Sequence, residues 1–184
     1  MKRRVTQEQI QKTDADRLPF AIACINTQTL TTIVRTASLL GAKEAFVFGW
    51  PRWDDSNVDS YDFYIPVTKI YNAPKTIVSK TVFDNTLDRH GYFPVFIEQN
   101  QTSKPLSRIS EVVEAMAKTT LKPCLIIGCS GRGQEWPSTG IPSHFMEGSE
   151  HVYEIPQLGA EKSYPAFAAS SIAMWEMKHA FLNR

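Results

Sequence analysis

The chain has 184 residues, a length that predicts about one compact domain. Hydrophobic residues make up 42% of it and aromatic residues 11%, which is typical of a globular protein and excludes a disordered chain. The 20 lysines and arginines are nearly balanced by 19 acidic residues, so the net charge is only +1. No overall positive field attracts nucleic acid or acidic membranes, and any site for RNA or phosphate must be a local patch.

The cysteines, the histidines and the N-terminus bear on metals, disulfides and location. There are three cysteines, Cys24, Cys124 and Cys129, and their odd number favours buried thiols in a reducing compartment. Neither they nor the four histidines have the spacing of a metal-ligand set. The N-terminus has no apolar signal region, and no stretch reaches the roughly 18 apolar residues of a membrane span. We therefore expect a soluble, cytoplasmic protein without a metal ion.

The first part of the chain alternates between strand-like and helix-like patterns. Residues 1–18 are polar and are predicted to form an N-terminal arm, followed by one domain over residues 19–184. In chain order, the predicted elements are a strand over 19–26, a helix over 27–40, a strand over 45–50, a long loop over 50–64 and a short strand over 67–70.

The alternation becomes regular in the second part of the chain. In chain order, the predicted elements are a helix over 74–87, a strand over 92–99, a helix over 109–118, a strand over 124–129, a glycine- and proline-rich loop over 131–140, a small element around His144, a strand over 151–156 and a helix over 164–182. Continuous apolar strands between helices predict an α/β fold, with a mainly parallel sheet and helices on both faces. Ligands of such sheets bind at the carboxyl ends of the strands.

The first candidate motif joins the first predicted strand to the helix that follows. Asn26 ends the strand, where such a residue is also a common helix cap or turn residue. Arg35 lies inside a largely apolar helix, with no acidic residue three or four positions away to pair with it. Its guanidinium can hold a phosphate through two hydrogen bonds, or it can simply extend into solvent.

Two further motifs lie in the C-terminal third of the chain. LIIGCSGRGQEWPS, from Leu125, is a buried strand running into a glycine-rich turn whose amides can hold an anion or an adenine edge, and a tight turn alone explains it as well. The segment from His151 joins a strand to the last helix, which Ser163 is predicted to cap with Tyr164 and Pro165 in its first turn. The small residues of that helix favour either internal packing or a subunit interface.

In this order, the three motifs resemble those of the SpoU (TrmH-like) branch of the SPOUT RNA methyltransferases. The matching residues are Asn26 with Arg35, Thr36, Ala37 and Gly41; then Leu125, Ile126, Ile127 and Gly128 with Gly131, Arg132 and Gly133; then Ile155 and Pro156 with Ser163 and Ala169. The matches span most of the chain. The resemblance implies a sheet whose C-terminal part is tied in a trefoil knot, and transfer of a methyl group from S-adenosylmethionine to a ribose 2′-hydroxyl of tRNA or rRNA.

The resemblance also assigns residues to the cofactor. Gly128 and Ile155 would line it, together with Ser163 and Tyr164 before the last helix. Ile97, at the end of an earlier predicted strand, is a looser match for the same role. We therefore expect the cofactor to lie where these strands end.

Catalysis, RNA binding and assembly are implied in the same way. Arg35 takes the position of the arginine that activates the hydroxyl, and Asn26 and Ser163 take those of supporting polar residues. Because a guanidinium keeps its proton, it would act on a hydroxyl already polarised or through an RNA phosphate. The residues expected to contact RNA are Arg35, Arg52, Arg132 and Lys162, beside the aromatic loop around Trp50 and Trp53. A homodimer is expected.

Two departures from the family pattern leave alternatives open. Ser130 stands where members usually have an acidic residue, and Pro165 stands where they usually have an asparagine. Proline has no amide donor and no side-chain acceptor to replace that carboxamide. The alternative is a catalytically degenerate protein of the same fold that binds RNA or a protein partner without methyl transfer. A third hypothesis, based on the glycine-rich turn alone, is an unrelated nucleotide-binding α/β protein.

Overall fold

A computed structural model describes residues 18–25, 29–49, 65–71, 78–128, 140–159 and 163–183. Seven strands in these ranges form one sheet, and every pair of neighbouring strands is parallel. The strands are β1 (Ala21–Ile25), β2 (Ala45–Gly49), β3 (Val67–Tyr71), β4 (Tyr92–Ile97), β5 (Lys104–Pro105), β6 (Lys122–Ile127) and β7 (Val152–Glu154). The predicted α/β fold with a mainly parallel sheet is confirmed.

The order of the strands across the sheet is β3-β2-β1-β6-β4-β7-β5. Strands that come late in the chain therefore lie between strands that come earlier in it. β6 lies between β1 and β4, so Leu125 is opposite Ile22 on one side and Val95 on the other. β7 lies on the far side of β4, opposite Phe96 and Ile97. β4 is therefore flanked by two strands that follow it in the chain. The predicted trefoil knot involves loops outside the described residues and stays a prediction.

Helices pack on both faces of the sheet. In chain order they are α1 (Leu30–Leu39), α2 (Lys80–Arg89), α3 (Ser110–Met116), α4 (Ser143–Met146) and α5 (Ala166–Leu182), with a 3₁₀ turn over Leu106–Arg108 before α3. Core residues of α1, α3 and α5 pack on one face, and those of α2 and α4 pack on the other. The predicted covering of both faces is confirmed.

The two covered faces explain why the strand sequences are continuously apolar. All five residues of β1 are buried, and they alternate between the two cores. Ile22 and Cys24 join the core beneath α1 and α5, whereas Ala21, Ala23 and Ile25 join the core beneath α2 and α4. A strand buried on both sides needs an apolar residue at every position, so the sequence shows a run rather than an alternation.

The helix predicted over 74–87 begins later than expected, at Lys80. Ser79 has extended backbone angles, and its hydroxyl accepts a hydrogen bond from the backbone N–H of Val82 at 3.3 Å. A serine that satisfies one of the exposed amides of the first turn fixes the helix start at the next residue. The prediction failed because it gave this role to Pro74.

The last helix also begins later than predicted, at Ala166 instead of Tyr164. Pro165 is the residue before the helix, with extended angles, and no side chain caps α5. Because a residue before proline is disfavoured in the helical region, Tyr164 cannot start the helix. The predicted cap by Ser163 is therefore wrong.

The remaining outcomes concern an edge strand, the residues outside the described ranges, membrane spans and metal ligands. Edge strand β5 was not expected, because two residues are too few for a sequence pattern. The long loop over 50–64 and most of the N-terminal arm lie outside the described residues, and the division into arm and domain stays a prediction. No helix in the described residues is long and apolar enough to cross a membrane. No group of three or more metal-ligating side chains occurs in the same part of the chain.

Candidate functional site

The ends of three neighbouring strands bring together three residues predicted to bind the cofactor. Ile97 is the last residue of β4, Gly128 directly follows β6, and Ile155 directly follows β7. In the parallel register, Ile97 is opposite Ile127 on one side and Tyr153 on the other. All three predicted residues therefore lie at one edge of the sheet, which we call the carboxyl edge and where α/β folds bind their ligands.

Two glycine residues meet at the carboxyl edge. A Cβ atom on Gly128 would collide with the carbonyl carbon of Gly140 and lie 2.5 Å from the backbone nitrogen of Ile141. Only glycine fits at position 128, because the space is filled by another stretch of backbone. Gly140 has a φ of +88°, in the left-handed region, and a Cβ there would collide with the carboxylate of Glu98. The chain that leaves β6 thus touches the chain that returns before α4.

The side chain of Glu98 connects these segments to the end of β4. Its Oε2 accepts a hydrogen bond from the backbone N–H of Ile141 at 2.6 Å, and its Oε1 accepts one from that of Gln99 at 3.1 Å. The backbone N–H of Glu98 donates to the carbonyl of Tyr153 at 2.9 Å. Neither Glu98 nor Gly140 was among the site residues predicted from the sequence. The signal for Glu98 is weak, an acidic residue directly after an apolar strand.

Arg35 lies on the exposed side of α1. The opposite side of the helix is buried against the sheet through Leu30, Ile33, Val34 and Ala37. Arg35 lies five residues after the helix start, about 7.5 Å along the axis from the end of the helix that follows β1. Among the described residues, none forms an ion pair or hydrogen bond with its guanidinium.

Ser163 and Tyr164 lie just before α5, and both are exposed. Near the other end of α5, the ring of Phe181 stacks on that of Phe20, which precedes β1, with ring centroids 6.3 Å apart. Because Phe20 lies at the amino edge of the sheet, α5 must start near the carboxyl edge. Ser163 and Tyr164 therefore lie near the carboxyl edge. They are on the face of the sheet that is also covered by α1, the helix that carries Arg35.

Large apolar side chains form an exposed stripe along α5. Phe167 is 43% exposed, Trp175 49% and Leu182 62%, and intervals of eight and seven residues, about two helical turns, place them on one side. Leu39, at the end of α1, is 76% exposed. Since α1 and α5 pack against each other, their exposed sides adjoin. We call this surface the α1–α5 face.

Four of the predicted site residues lie outside the described part of the chain. They are Asn26, Arg52, Arg132 and Lys162. The aromatic loop expected around Trp50 and Trp53 lies outside it too. The catalytic role of Asn26 and the RNA contacts of the three basic residues therefore stay predictions.

Two carboxylates give the carboxyl edge a negative charge. Glu98 follows β4, and Glu154 ends β7, where its Oε2 accepts a hydrogen bond from the hydroxyl of Ser103 at 2.9 Å. No lysine or arginine in the described residues forms an ion pair with either one. Nearby, Ile97 ends the apolar strand β4, and Ile155 is half-buried against the core. Apolar side chains beside the Glu154 carboxylate, which no lysine or arginine in the described residues neutralises, suit a ligand with an apolar ring and a positive charge.

Neither of two buried ionisable groups beneath this edge can supply a base or nucleophile at neutral pH. Burial raises the pKa of Tyr153 to about 12, so its hydroxyl stays protonated. Burial also raises the pKa of the Cys124 thiol well above its usual value, which removes the reactive thiolate. Neither group therefore takes a direct part in proton transfer or nucleophilic attack at neutral pH.

The fold is shared with solved RNA-modifying enzymes. The TrmH/SpoU tRNA modifying enzyme of A. aeolicus superposes with a TM-score of 0.68 at 12% identity, over 96% of this chain and 84% of the enzyme. The chain has the SpoU methyltransferase fold. An AdoMet-bound rRNA methyltransferase from Sinorhizobium meliloti gives a TM-score of 0.62 at 17% identity, over 90% of this chain. The SpoU methyltransferase AviRb from Streptomyces viridochromogenes gives 0.61 at 15% identity, over 89% of this chain.

Sequence comparison adds nothing to this structural likeness. No family model matches the chain, and no curated protein matches it by sequence. The chain spans 59% of the length of the Sinorhizobium enzyme and 60% of that of AviRb. The SpoU fold is therefore established by structure, while the activity and substrates are matters of proposal.

Proposed function

We propose that the chain is an RNA ribose 2′-O-methyltransferase that uses S-adenosylmethionine and acts on tRNA or rRNA in the cytoplasm. The observation that carries the proposal is the carboxyl edge, where Gly128 and Gly140 meet beside the ends of β4 and β7. This edge occurs in a fold shared with SpoU methyltransferases whose structures include AdoMet-bound forms. Cys124 is a buried thiol, which supports a reducing compartment.

The residues proposed to hold the cofactor are Ile97, Gly128, Ile155, Ser163 and Tyr164. The apolar side chains offer contact to an adenine ring, and the carboxylate of Glu154, which forms no ion pair with a described lysine or arginine, favours a positively charged ligand. When bound, S-adenosylmethionine supplies a reactive methyl group on a positively charged sulfonium sulfur. The composition of the edge therefore fits this cofactor.

Arg35 is proposed to act on the ribose hydroxyl. With S-adenosylmethionine bound, its methyl group would pass to the hydroxyl oxygen with release of S-adenosylhomocysteine, and the hydroxyl proton would pass to an RNA phosphate or to water. The guanidinium does not take this proton, because it is already protonated. It stabilises the negative charge developing on the oxygen and holds a neighbouring phosphate. Asn26 and Ser163 are proposed to orient the ribose, since alignment itself supplies much of the rate.

RNA binding is proposed to depend on a local patch, since the net charge is only +1. The residues of this patch are Arg35, Arg52, Arg132 and Lys162, with Trp50 and Trp53 as stacking partners for unpaired bases. The exposed position of Arg35 on α1, where no described residue pairs with its guanidinium, supports this assignment. Phosphate contacts by few cations predict weak binding that declines as the salt concentration rises.

A homodimer is proposed through the α1–α5 face. Exposed apolar patches of this kind on a monomer often mark interaction sites. Phe167, Trp175 and Leu182 lie on one stripe of α5 and can meet the same stripe of a second copy across a twofold axis. Arg35 adjoins this face, so a dimer would let each site use groups from both protomers, as the resemblance implies.

Arg35→Ala tests the proposed function, with Arg89→Ala as the matched control on the exposed surface of α2. Transfer of a labelled methyl group to mixed tRNA and rRNA is measured beside cofactor binding by calorimetry. We expect Arg35→Ala to lower transfer by about 100-fold or more while the Kd for S-adenosylmethionine stays within about twofold. Arg89→Ala should behave like the unaltered protein.

Two results would contradict this assignment. Unchanged transfer by Arg35→Ala would remove Arg35 from the reaction. Cofactor binding by the unaltered protein with no transfer to any RNA would favour the degenerate alternative, consistent with the extended Pro165 and the lack of a side-chain cap on α5. In that case, restoring the family residues with Pro165→Asn and Ser130→Glu should recover activity.

A further inference from the structure

Glu98 lies where three segments of the chain converge. Its backbone continues β4 and donates to the carbonyl of Tyr153 in β7 at 2.9 Å. Its carboxylate accepts from the backbone of Ile141, on the segment that returns before α4. That segment touches Gly128 at the end of β6 through Gly140. One side chain thus connects the ends of β4, β6 and β7, the strands whose ends hold Ile97, Gly128 and Ile155.

The environment of the carboxylate indicates what it does there. Both oxygens accept hydrogen bonds from backbone amides, at 2.6 Å from Ile141 and 3.1 Å from Gln99. No cation among the described residues forms an ion pair with it, so these charge-assisted bonds are what stabilises it in a half-buried position. The carboxylate also occupies the space that a side chain at position 140 would need. Its structural effect is to hold the backbone at Gly140 and Ile141 in place.

We propose that Glu98 is a positioning residue for the cofactor, which holds the Gly140–Ile141 backbone against Gly128 and so fixes the shape of the carboxyl edge. This inference rests on the proposed function, because it assumes that the edge binds S-adenosylmethionine. Glu98 acts through the backbone rather than by contact with the sulfonium. Gly128 and Gly140, which have eleven residues between them in the chain, are thereby held together by a side chain that directly follows β4.

Three substitutions separate this role from a general effect of charge. Glu98→Gln keeps one acceptor oxygen for Ile141 but places an NH₂ group against the amide of Gln99. Glu98→Asp keeps the charge and shortens the side chain, so the carboxylate no longer reaches Ile141. Glu98→Ala removes both hydrogen bonds, and Glu114→Ala on the exposed surface of α3 is the matched control.

The experiment measures the Kd of each variant for S-adenosylmethionine and for S-adenosylhomocysteine, its neutral product. We expect Glu98→Ala and Glu98→Asp to weaken both ligands about 10- to 100-fold and equally, with Glu98→Gln in between. Hydrogen exchange at the amide of Ile141 should quicken in the same order, while exchange in the buried strands β1 and β6 stays slow. Glu114→Ala should match the unaltered protein.

The remaining results would overturn either the role of Glu98 or the proposed function. A much larger loss for S-adenosylmethionine than for S-adenosylhomocysteine would overturn the proposal, because the carboxylate would then act directly on the sulfonium. Unchanged affinities, or faster exchange throughout the sheet, would also overturn it in favour of no role or of a purely structural one. Absence of cofactor binding by the unaltered protein would instead refute the proposed function, whatever the variants do at Ile141.

Discussion

At the carboxyl edge, Gly128 and Gly140 touch through backbone atoms and Glu98 fills the space beside Gly140, so the chain itself completes the packing. On the α1–α5 face, Phe167 and Trp175 remain 43% and 49% exposed. The contact between Gly128 and Gly140 leaves no room for a side chain at either position, whereas the α1–α5 face leaves apolar surface exposed. One region is thus packed by atoms of its own chain, whereas the other presents the apolar surface through which a homodimer is proposed.

The substitution expected to disrupt the packing of the carboxyl edge most is Gly128→Ala. The added methyl group would overlap the backbone of Gly140, which cannot rotate away as a side chain can. We expect a loss of about 3 kcal/mol or more in the free energy of unfolding, at or beyond the upper end for overpacked cores. Urea denaturation followed by circular dichroism measures it.

Gly159→Ala is the control for this change. A Cβ at position 159 would meet no atom within 4 Å, so its effect should stay within about 0.5 kcal/mol. Equal effects of the two substitutions would show that the close approach at Gly128 is not what fixes the edge.

On the open face, Trp175→Glu should act on assembly more than on folding. A glutamate here would replace an apolar contact in a dimer with a carboxylate that must lose water, even with Lys178 three residues on to pair with it, which weakens association by about 10-fold or more. The folding free energy of the monomer should fall by only about 1 kcal/mol, since Trp175 is 49% exposed and its ring contacts His179 and Lys178 on the same helix. Sedimentation velocity over a range of concentrations measures association.

Val82→Glu is the matched substitution on the opposite face of the sheet. Val82 on α2 is 42% exposed, close to the exposure of Trp175. The dimer proposal predicts that Val82→Glu leaves sedimentation unchanged. If both variants sediment like the unaltered protein, the apolar stripe is not a dimer interface.

The smallest expected effect concerns His151, at the amino end of β7 and away from both regions. Burial, with a further contribution from Lys104, lowers its pKa below the ordinary value of 6.5, while Glu150 and Glu111 partly oppose the shift. Above pH 6.5 the ring is neutral in the folded and unfolded chains, and below it the unfolded chain binds a proton more readily. The contribution of His151 to the free energy of unfolding is therefore complete above pH 6.5 and declines as the pH falls below that value.

His151→Gln should remove this contribution. Denaturation on both sides of pH 6.5 should show a flatter decline on the acidic side for the variant than for the unaltered protein, with cofactor binding at neutral pH unchanged. An equally steep decline in both proteins would assign the acid sensitivity to other groups.

Most of the strands and helices were predictable from the sequence, because the residue patterns that mark them lie within short segments of the chain. The central strands β1 and β6 are apolar at nearly every position, since both sides are covered by helices. The starts of α2 and α5 were not predicted correctly, because Ser79 and Pro165 each decide a boundary that hydrophobic periodicity does not mark. Helix starts depend on single hydrogen bonds and backbone angles, which a pattern of apolar residues does not record.

The site was predictable only in part, for a related reason. Strand ends such as Ile97 and Gly128 follow from the pattern of the strands, so their meeting at one edge could be expected. The hydrogen bond from the backbone N–H of Ile141 to the carboxylate of Glu98 joins residues 43 positions apart in the sequence, and no pattern near either residue predicts it. Contacts of this kind arise from topology, which the local sequence does not encode.

The order of the strands also has a consequence for synthesis on the ribosome. β1 pairs with β6 through Ile22 and Leu125, so the middle of the sheet stays incomplete until most of the chain has been made. Until then, β1 and β4 present open edges of apolar strands, which are prone to pair with other chains. A sheet whose central pair is joined so late should fold slowly and should benefit from chaperones during translation.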